Sequence, residues 1–239
     1  MSIVNISSYL FFQLENPLAL KDTLRAECKR LGLLGTILIA TEGINLMLAG
    51  SRESIDAIKQ FMATIPPLEK MEFKESLSDF VPYEKLFTKV RKEIVTIGVP
   101  EITLHNQPSH YLDPEELKNW YDNNSDFTLL DTRNHFEVEY GHFKNTVELN
   151  IKHFREFPEA TKKMDPALKD QPLVIVCTGG IRCEKAAMVL QEQGFKKVYQ
   201  LHGGILKYFE KCGGDYWEGN CFVFDDRISV NSKLETIKN

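Results

Sequence analysis

The sequence predicts an α/β protein of two successive units, an α+β domain followed by a doubly wound parallel-sheet domain. Three observations carry this. Over residues 1–97 the apolar runs come in the order strand, helix, two strands, helix, strand. Beyond residue 113, short apolar runs alternate with helical periodicity, the pattern of a mainly parallel sheet covered on both faces. Between them, residues 98–112 hold Pro100 and Pro108 with little periodicity and read as a linker. A length of 239 residues accommodates two small domains. The expected division is 1–97, a linker over 98–112, 113–215, and a C-terminal extension over 216–239.

In the first unit, residues 3–12 are rich in β-branched and aromatic side chains and read as a strand. Pro17 opens a helix in which Leu18, Leu24, Cys28 and Leu31 recur at near-helical spacing, and Gly32 stops it. Residues 35–40 and 44–49, joined by Thr41-Glu42-Gly43, read as a hairpin. Ser51 caps a second helix carrying Ile55, Ile58, Phe61 and Met62, which ends before Pro66-Pro67. Residues 71–74 and 86–96 are the remaining strand candidates. This β-α-β-β-α-β order, with one extra strand, is a ferredoxin-like (acylphosphatase-like) arrangement.

In the second unit, Asp113-Pro114-Glu115-Glu116 starts a helix with Asp113 as N-cap and Glu116 three residues on. Strands are expected over 127–130, 146–149, 172–176 and 198–201. Helices are expected from about Phe154, over 183–193 with Gly194 at the end, and over 203–212. In such sheets ligands sit at the carboxyl ends of the strands, which points at the segment after Val176.

Composition narrows the class. A hydrophobic fraction of 43% and a charged fraction of 26% exclude a disordered chain, and no run of 18 apolar residues reads as a membrane span. The N-terminus has neither a basic n-region nor a cleavage site, so no secretory signal is read. Five cysteines are too few for a disulfide framework and odd in number, which suits a reducing, cytoplasmic setting. Residues 1–100 hold 12 basic and 12 acidic side chains, so the net charge of −5 belongs to the remainder. The neutral first part is the better place for a polyanion.

The chemistry concentrates in Cys177-Thr178-Gly179-Gly180-Ile181-Arg182-Cys183, a turn between a buried strand and a helix. Cys177 sits where the helix N-terminus and loop N–H groups favour a thiolate, below the free value of about 8.5. Gly179 and Gly180 tolerate positive φ and let the backbone fold over the sulfur. Arg182 supplies a fixed positive charge and a donor fork for an anion. A lone cysteine reads more often as a small buried hydrophobe; around Cys177 the glycines, arginine and helix start favour the reactive role. Cys183 is either a partner thiol for Cys177 or a small residue packed under the loop. Asp131 and Arg133 read as buried groups that fix the neighbouring loops. No cysteine or histidine spacing suits a metal, and no flavin fingerprint is present.

Cys177-x4-Arg182 is one residue shorter than the cysteine-phosphatase loop and is the rhodanese pattern. With Asp131-Thr132-Arg133, Glu137 ahead of Gly141-His142-Phe143, and Leu201-His202-Gly203-Gly204-Ile205, the second unit resembles a rhodanese domain. Thr41-Glu42-Gly43-Ile44-Asn45, the 89–95 strand, the Cys177–Ala186 string and Phe222-Val223-Phe224-Asp225-Asp226-Arg227 occur in one order. Together they resemble the rhodanese-containing tRNA uridine hydroxylases. The resemblance implies oxygen-dependent hydroxylation of carbon 5 of the wobble uridine, a tRNA partner, and a persulfide-bearing role for Cys177. It implies molecular oxygen as co-substrate and leaves any further cofactor, and the oligomeric state, unknown.

For RNA, Lys85, Lys89, Arg91 and Lys92 form the densest basic cluster. Lys85, Phe87, Lys89 and Arg91 share one face of a strand, suited to phosphates and a stacked base or equally to plain solvation. Besides the tRNA hydroxylase reading, a sulfurtransferase or persulfide carrier and a non-enzymatic redox-sensing module remain open.

Overall fold

The computed structural model describes residues 2–99 and 110–237. Residues 100–109, most of the expected linker, lie outside the described residues. The chain divides into two compact units: Met1–Val95 with Phe224–Arg227, and Thr96–Val223 with Ile228–Asn239. The stretch expected as a C-terminal extension is therefore shared between both.

In the first unit, β1 (Ile3–Phe11), α1 (Pro17–Arg30), β2 (Leu34–Ala40), β3 (Gly43–Gly50), α2 (Arg52–Ala63), β4 (Lys74–Ser78) and β5 (Leu86–Val90) follow in order. The sheet order is β4-β1-β3-β2-β5. The first four strands pair antiparallel, and β5 adds to β2 in parallel. This is the ferredoxin-like arrangement with the extra strand at its edge. Asn16 and Ser51 cap the helices, accepting from Ala19 N–H at 3.0 Å and Ser54 N–H at 3.1 Å. Alternation along the strands turns Val4, Ile6, Ile44, Leu46 and Leu48 onto Leu20, Leu24, Cys28, Ile55, Ile58 and Met62. Each large side chain so buried contributes about 1.5–3 kcal/mol.

Three expectations shift. Leu18 is exposed, and Leu20 takes its place, because one turn back from Leu24 the buried stripe falls there. The strand expected at 71–74 begins at Lys74, since a 3-10 turn over Leu68–Lys70 buries Leu68 and Met71 first. The strand expected to run to residue 96 stops at Val90. Its partner β2 ends at Ala40, and beyond it the backbone bonds to side chains: Ile94 N–H donates to Glu42 and Asn45 donates to the Ile94 carbonyl.

The second unit holds β6 (His110–Leu112), α3 (Pro114–Asp122), β7 (Thr128–Asp131), α4 (His135–Val138), β8 (Gly141–Phe143) and β9 (Thr146–Glu148). Then come α5 (Phe157–Thr161), β10 (Pro172–Val176), α6 (Ile181–Glu192), β11 (Lys197–Leu201), α7 (Gly204–Cys212), β12 (Trp217–Gly219), β13 (Cys221–Phe222) and β14 (Ser229–Val230). The main sheet, β6-β11-β10-β7-β9, is parallel throughout. Val174 and Val176 of the central strand face Leu117 of α3 and Ile205, Tyr208 and Phe209 of α7. Leu173 and Ile175, also fully buried, point to the opposite face. The sheet is thus doubly wound. β8 pairs with β12 and β13 with β14, both antiparallel.

Here the linker closes three residues early, because His110–Leu112 pairs with β11. α6 begins at Ile181, two residues before the expected start, with Gly180 at φ +96° as its N-cap. Asp113 precedes α3 but its side chain makes no cap; it lies 3.3 Å from His202 Nδ1 instead.

Candidate active site

β10 is the middle strand of the parallel sheet, and Cys177 is the first residue past its carboxyl end, fully buried. Thr132, past the end of β7, donates both its N–H and its hydroxyl to the Val176 carbonyl at 2.9 Å, fixing where β10 stops. The loop then turns back on the sulfur, and Gly180 N–H donates to Cys177 Sγ at 3.1 Å. Burial disfavours the thiolate, but a hydrogen bond from Cys183, the Arg182 charge, and the Arg182 and Gly180 N–H groups outweigh it. The Cys177 thiol is held well below its ordinary range, at about 5. Cys183, buried beside it, is pushed up by burial and by the neighbouring sulfur. Neither is in a disulfide, and the opposed shifts of the two groups favour Cys183 as the donor and the Cys177 sulfur as the acceptor.

The glycines divide by task. Gly180 takes a left-handed φ. Gly179 does not, and a Cβ there meets nothing within 4 Å, so the expected positive φ at Gly179 is not found. What Gly179 marks is open space on that side of the loop. Gly204 is the tightest: a Cβ would lie 2.5 Å from the Cys177 carbonyl oxygen and 2.7 Å from Gly180 N, at φ +69°. Next to it, Ile205 and Leu206 N–H at the start of α7 donate to the Cys177 and Thr178 carbonyls at 3.0 and 3.1 Å.

The Arg182 fork is not held open for an anion. It pairs with Glu137 at 2.6 and 2.7 Å, with Thr178 Oγ1 a further 3.4 Å acceptor. Glu137 is fully buried and also accepts the Asn134 N–H at the start of α4. Burial works against the Arg182 charge, but Glu137 and the Cys177 sulfur more than offset it, raising its pKa. Arg133 does similar work one layer down. Its guanidinium grips Asp131 at 2.7–3.0 Å and donates to the Glu137 and Gly141 carbonyls, with both charges wholly buried. Thr178 and Arg182 are buried, while Gly179 and Ile181 are partly open. Sequence reasoning missed Glu137 and Gly204 as site residues; their only signal was their place in the motif strings.

The basic residues lie on the first unit. Lys85, Phe87, Lys89 and Arg91 are exposed, and Leu86, Thr88 and Val90 between them are half-buried. Lys92 is exposed as well. β5 is an edge strand among the described residues, so this face presents cations and one aromatic ring along the sheet margin. Among the described residues no group of three or more His, Cys, Asp and Glu is placed to hold a metal, and no helix is long and apolar enough to cross a membrane.

A parallel sheet whose central strand delivers a thiolate into a four-residue loop closed by arginine defines a rhodanese-like domain, here preceded by an acylphosphatase-like one. The rhodanese-like domain model matches residues 113–211, and the UPF0176 acylphosphatase like domain model matches residues 3–94. A tRNA uridine(34) hydroxylase of Cupriavidus taiwanensis is 45% identical over 240 residues, covering 98% of this chain and 85% of that protein. One of Ralstonia nicotianae is 46% identical over 239 residues with the same coverage. The chain belongs to the tRNA uridine(34) hydroxylase family. Among solved structures, the rhodanese-like domain of an Anabaena protein is similar at 22% identity and a TM-score of 0.39, covering 47% of this chain and 80% of that one.

Proposed function

We propose that this chain hydroxylates carbon 5 of the wobble uridine of tRNA in an oxygen-dependent reaction, with Cys177 as its active-site nucleophile. The observation that carries this is Cys177 at the carboxyl end of the central strand, held by Gly180 N–H and backed by the Arg182–Glu137 pair, in a chain 45% identical to tRNA uridine(34) hydroxylases over nearly its whole length. Carbon 6 of uridine is electrophilic. Addition of the Cys177 thiolate there moves the carbon 5–carbon 6 electron pair onto carbon 5. Carbon 5 takes one atom of molecular oxygen, while the other leaves as water at the expense of two electrons from an external two-electron donor. Loss of the carbon 5 proton then expels the sulfur and restores the double bond. Gly180 and Arg182 N–H hold the sulfur, Arg182 supplies charge rather than a free fork, and Glu137 fixes Arg182. Thr178, Gly179 and Ile181 line the open side. Asp131 and Arg133 position the loops, and Cys183 donates to the sulfur. Lys85, Lys89, Arg91 and Lys92 neutralise tRNA phosphates. A tRNA substrate fits a cytoplasmic protein.

The test is the 5-hydroxyuridine content of tRNA from cells whose only copy carries Cys177→Ser. Modification falls to background; undiminished modification removes Cys177 from the reaction. A second reading, sulfurtransferase, is favoured by the N–H groups around the sulfur, which suit a persulfide anion. Protein treated with thiosulfate then gains one sulfur atom on Cys177 by mass spectrometry, and no gain with any donor rejects it.

A further inference from the structure

Three aromatic rings stand beside the cysteine loop with no part in the chemistry described so far. Phe136 and Tyr140 are each 41% exposed. Phe222, half-buried, lies between them with ring centroids at 5.2 and 5.3 Å, the first pair edge-to-face at 89°. A lone exposed ring is ordinary, but adjoining rings on separate elements form a surface.

The rings are tied to the reactive loop from two sides. Phe136 and Tyr140 flank the segment that carries Glu137, whose carboxylate grips Arg182. Phe222 follows Cys221, whose buried sulfur lies near enough to the Thr178 side chain of the loop to feel it. Their backbone is fixed: Asn134 N–H at the start of α4 donates to the Glu137 carboxylate at 3.1 Å, Asn220 N–H donates to the Tyr140 carbonyl at 2.7 Å, and β13 pairs with β14. A ring surface that does not need ordering loses little entropy on binding.

We propose that Phe136, Tyr140 and Phe222 form a stacking platform for an unpaired nucleobase of the anticodon loop next to the uridine that reacts at Cys177. This rests on the tRNA reading above. Loop bases in RNA are unstacked and are held on aromatic side chains, and stacking tolerates any base because each has a π-face. Charge separates a base from a phosphate here. Two exposed residues nearby, Glu139 beside Tyr140 and Glu218 on β12 opposite β8, are acidic, and His135, one turn before Glu139, is engaged by Glu139 and Glu148. An acidic rim repels backbone phosphates and leaves ring faces for the neutral base.

The experiment measures binding of the full chain to a synthetic anticodon stem-loop, intact or with abasic nucleotides flanking the wobble uridine. Phe136→Ala and Tyr140→Ala each weaken binding of the intact loop about 5- to 100-fold, and Phe136→Trp restores it. The abasic loop binds wild type as weakly as it binds the alanine variants. The Cys177 thiolate midpoint, read by ultraviolet absorbance, stays in place and shows that the site is folded. Wild-type affinity in both alanine variants overturns the platform and leaves the rings to a protein partner, such as a sulfur donor. If instead Cys177→Ser keeps full modification in cells, the catalytic reading fails, whichever way the stem-loop responds.

Discussion

Glu137→Gln isolates one buried charge. The substitution keeps the shape and an acceptor for Asn134 N–H, so the start of α4, worth about 1 kcal/mol, survives. The negative charge facing the Arg182 fork is lost. Both groups are almost wholly buried, at 0% and 8% side-chain exposure, so solvent does not screen the loss. Removing one partner of such a pair costs about 3–5 kcal/mol, because the other charge stays buried and uncompensated. At about 2–4 °C per kcal/mol for a unit of this size, the midpoint of thermal unfolding falls by roughly 6–20 °C. Urea unfolding followed by tryptophan fluorescence reads this unit alone, since Trp120 and Trp217 both belong to it. Arg182→Met is also destabilising, and the double variant loses less than the sum of the two, as removing both charges of a buried pair is tolerated. Glu137→Gln also leaves the Arg182 charge without its carboxylate beside the sulfur, so the Cys177 midpoint drops further. A cost below about 1 kcal/mol with additive single effects would refute the reasoning.

Three further outcomes follow from the same geometry. Thiolate absorbance titrates with a midpoint of about 5 for Cys177; Cys183→Ala raises it by removing a donor, and Cys183→Ser, which keeps one, raises it less. Because the folded pKa lies below the unfolded value of about 8.5, the stabilising contribution is full above that value and is lost as pH falls through the folded midpoint, which denaturation at several pH values checks. Gly204→Ala destabilises by more than about 2 kcal/mol through backbone overlap and left-handed strain, whereas Gly179→Ala stays within about 1 kcal/mol; urea midpoints compare them. Lys89→Ala with Arg91→Ala weakens tRNA binding and lowers the slope of log affinity against log salt by about 0.7–0.9 for each phosphate no longer neutralised.

The parts that were legible in the sequence are those in which local pattern and tertiary position agree. Pro172–Val176 is an apolar run that must be a central strand, and the glycine turn and helix after it leave Cys177 one place to go. The βαββαβ order was readable because each element buries a periodic stripe. The short elements were not. α4 has four residues and β8, β12, β13 and β14 two or three each, too few for a period to show. Long-range partners left no local trace either: Glu137 meets Arg182 across 45 positions. Gly179 and Gly180 look alike as letters, but only one carries the left-handed backbone.

The carbonyls of Cys177 and Thr178 are held by the first N–H groups of α7, with Gly204 packed against them. In the language of reorganisation, the oxygen ends of these two peptide dipoles are anchored on the start of α7 in the folded chain. Charging the thiol, or lengthening it to a persulfide, then requires neither peptide to flip. The electrostatic work of accommodating a negative charge at Cys177 is done when the chain folds.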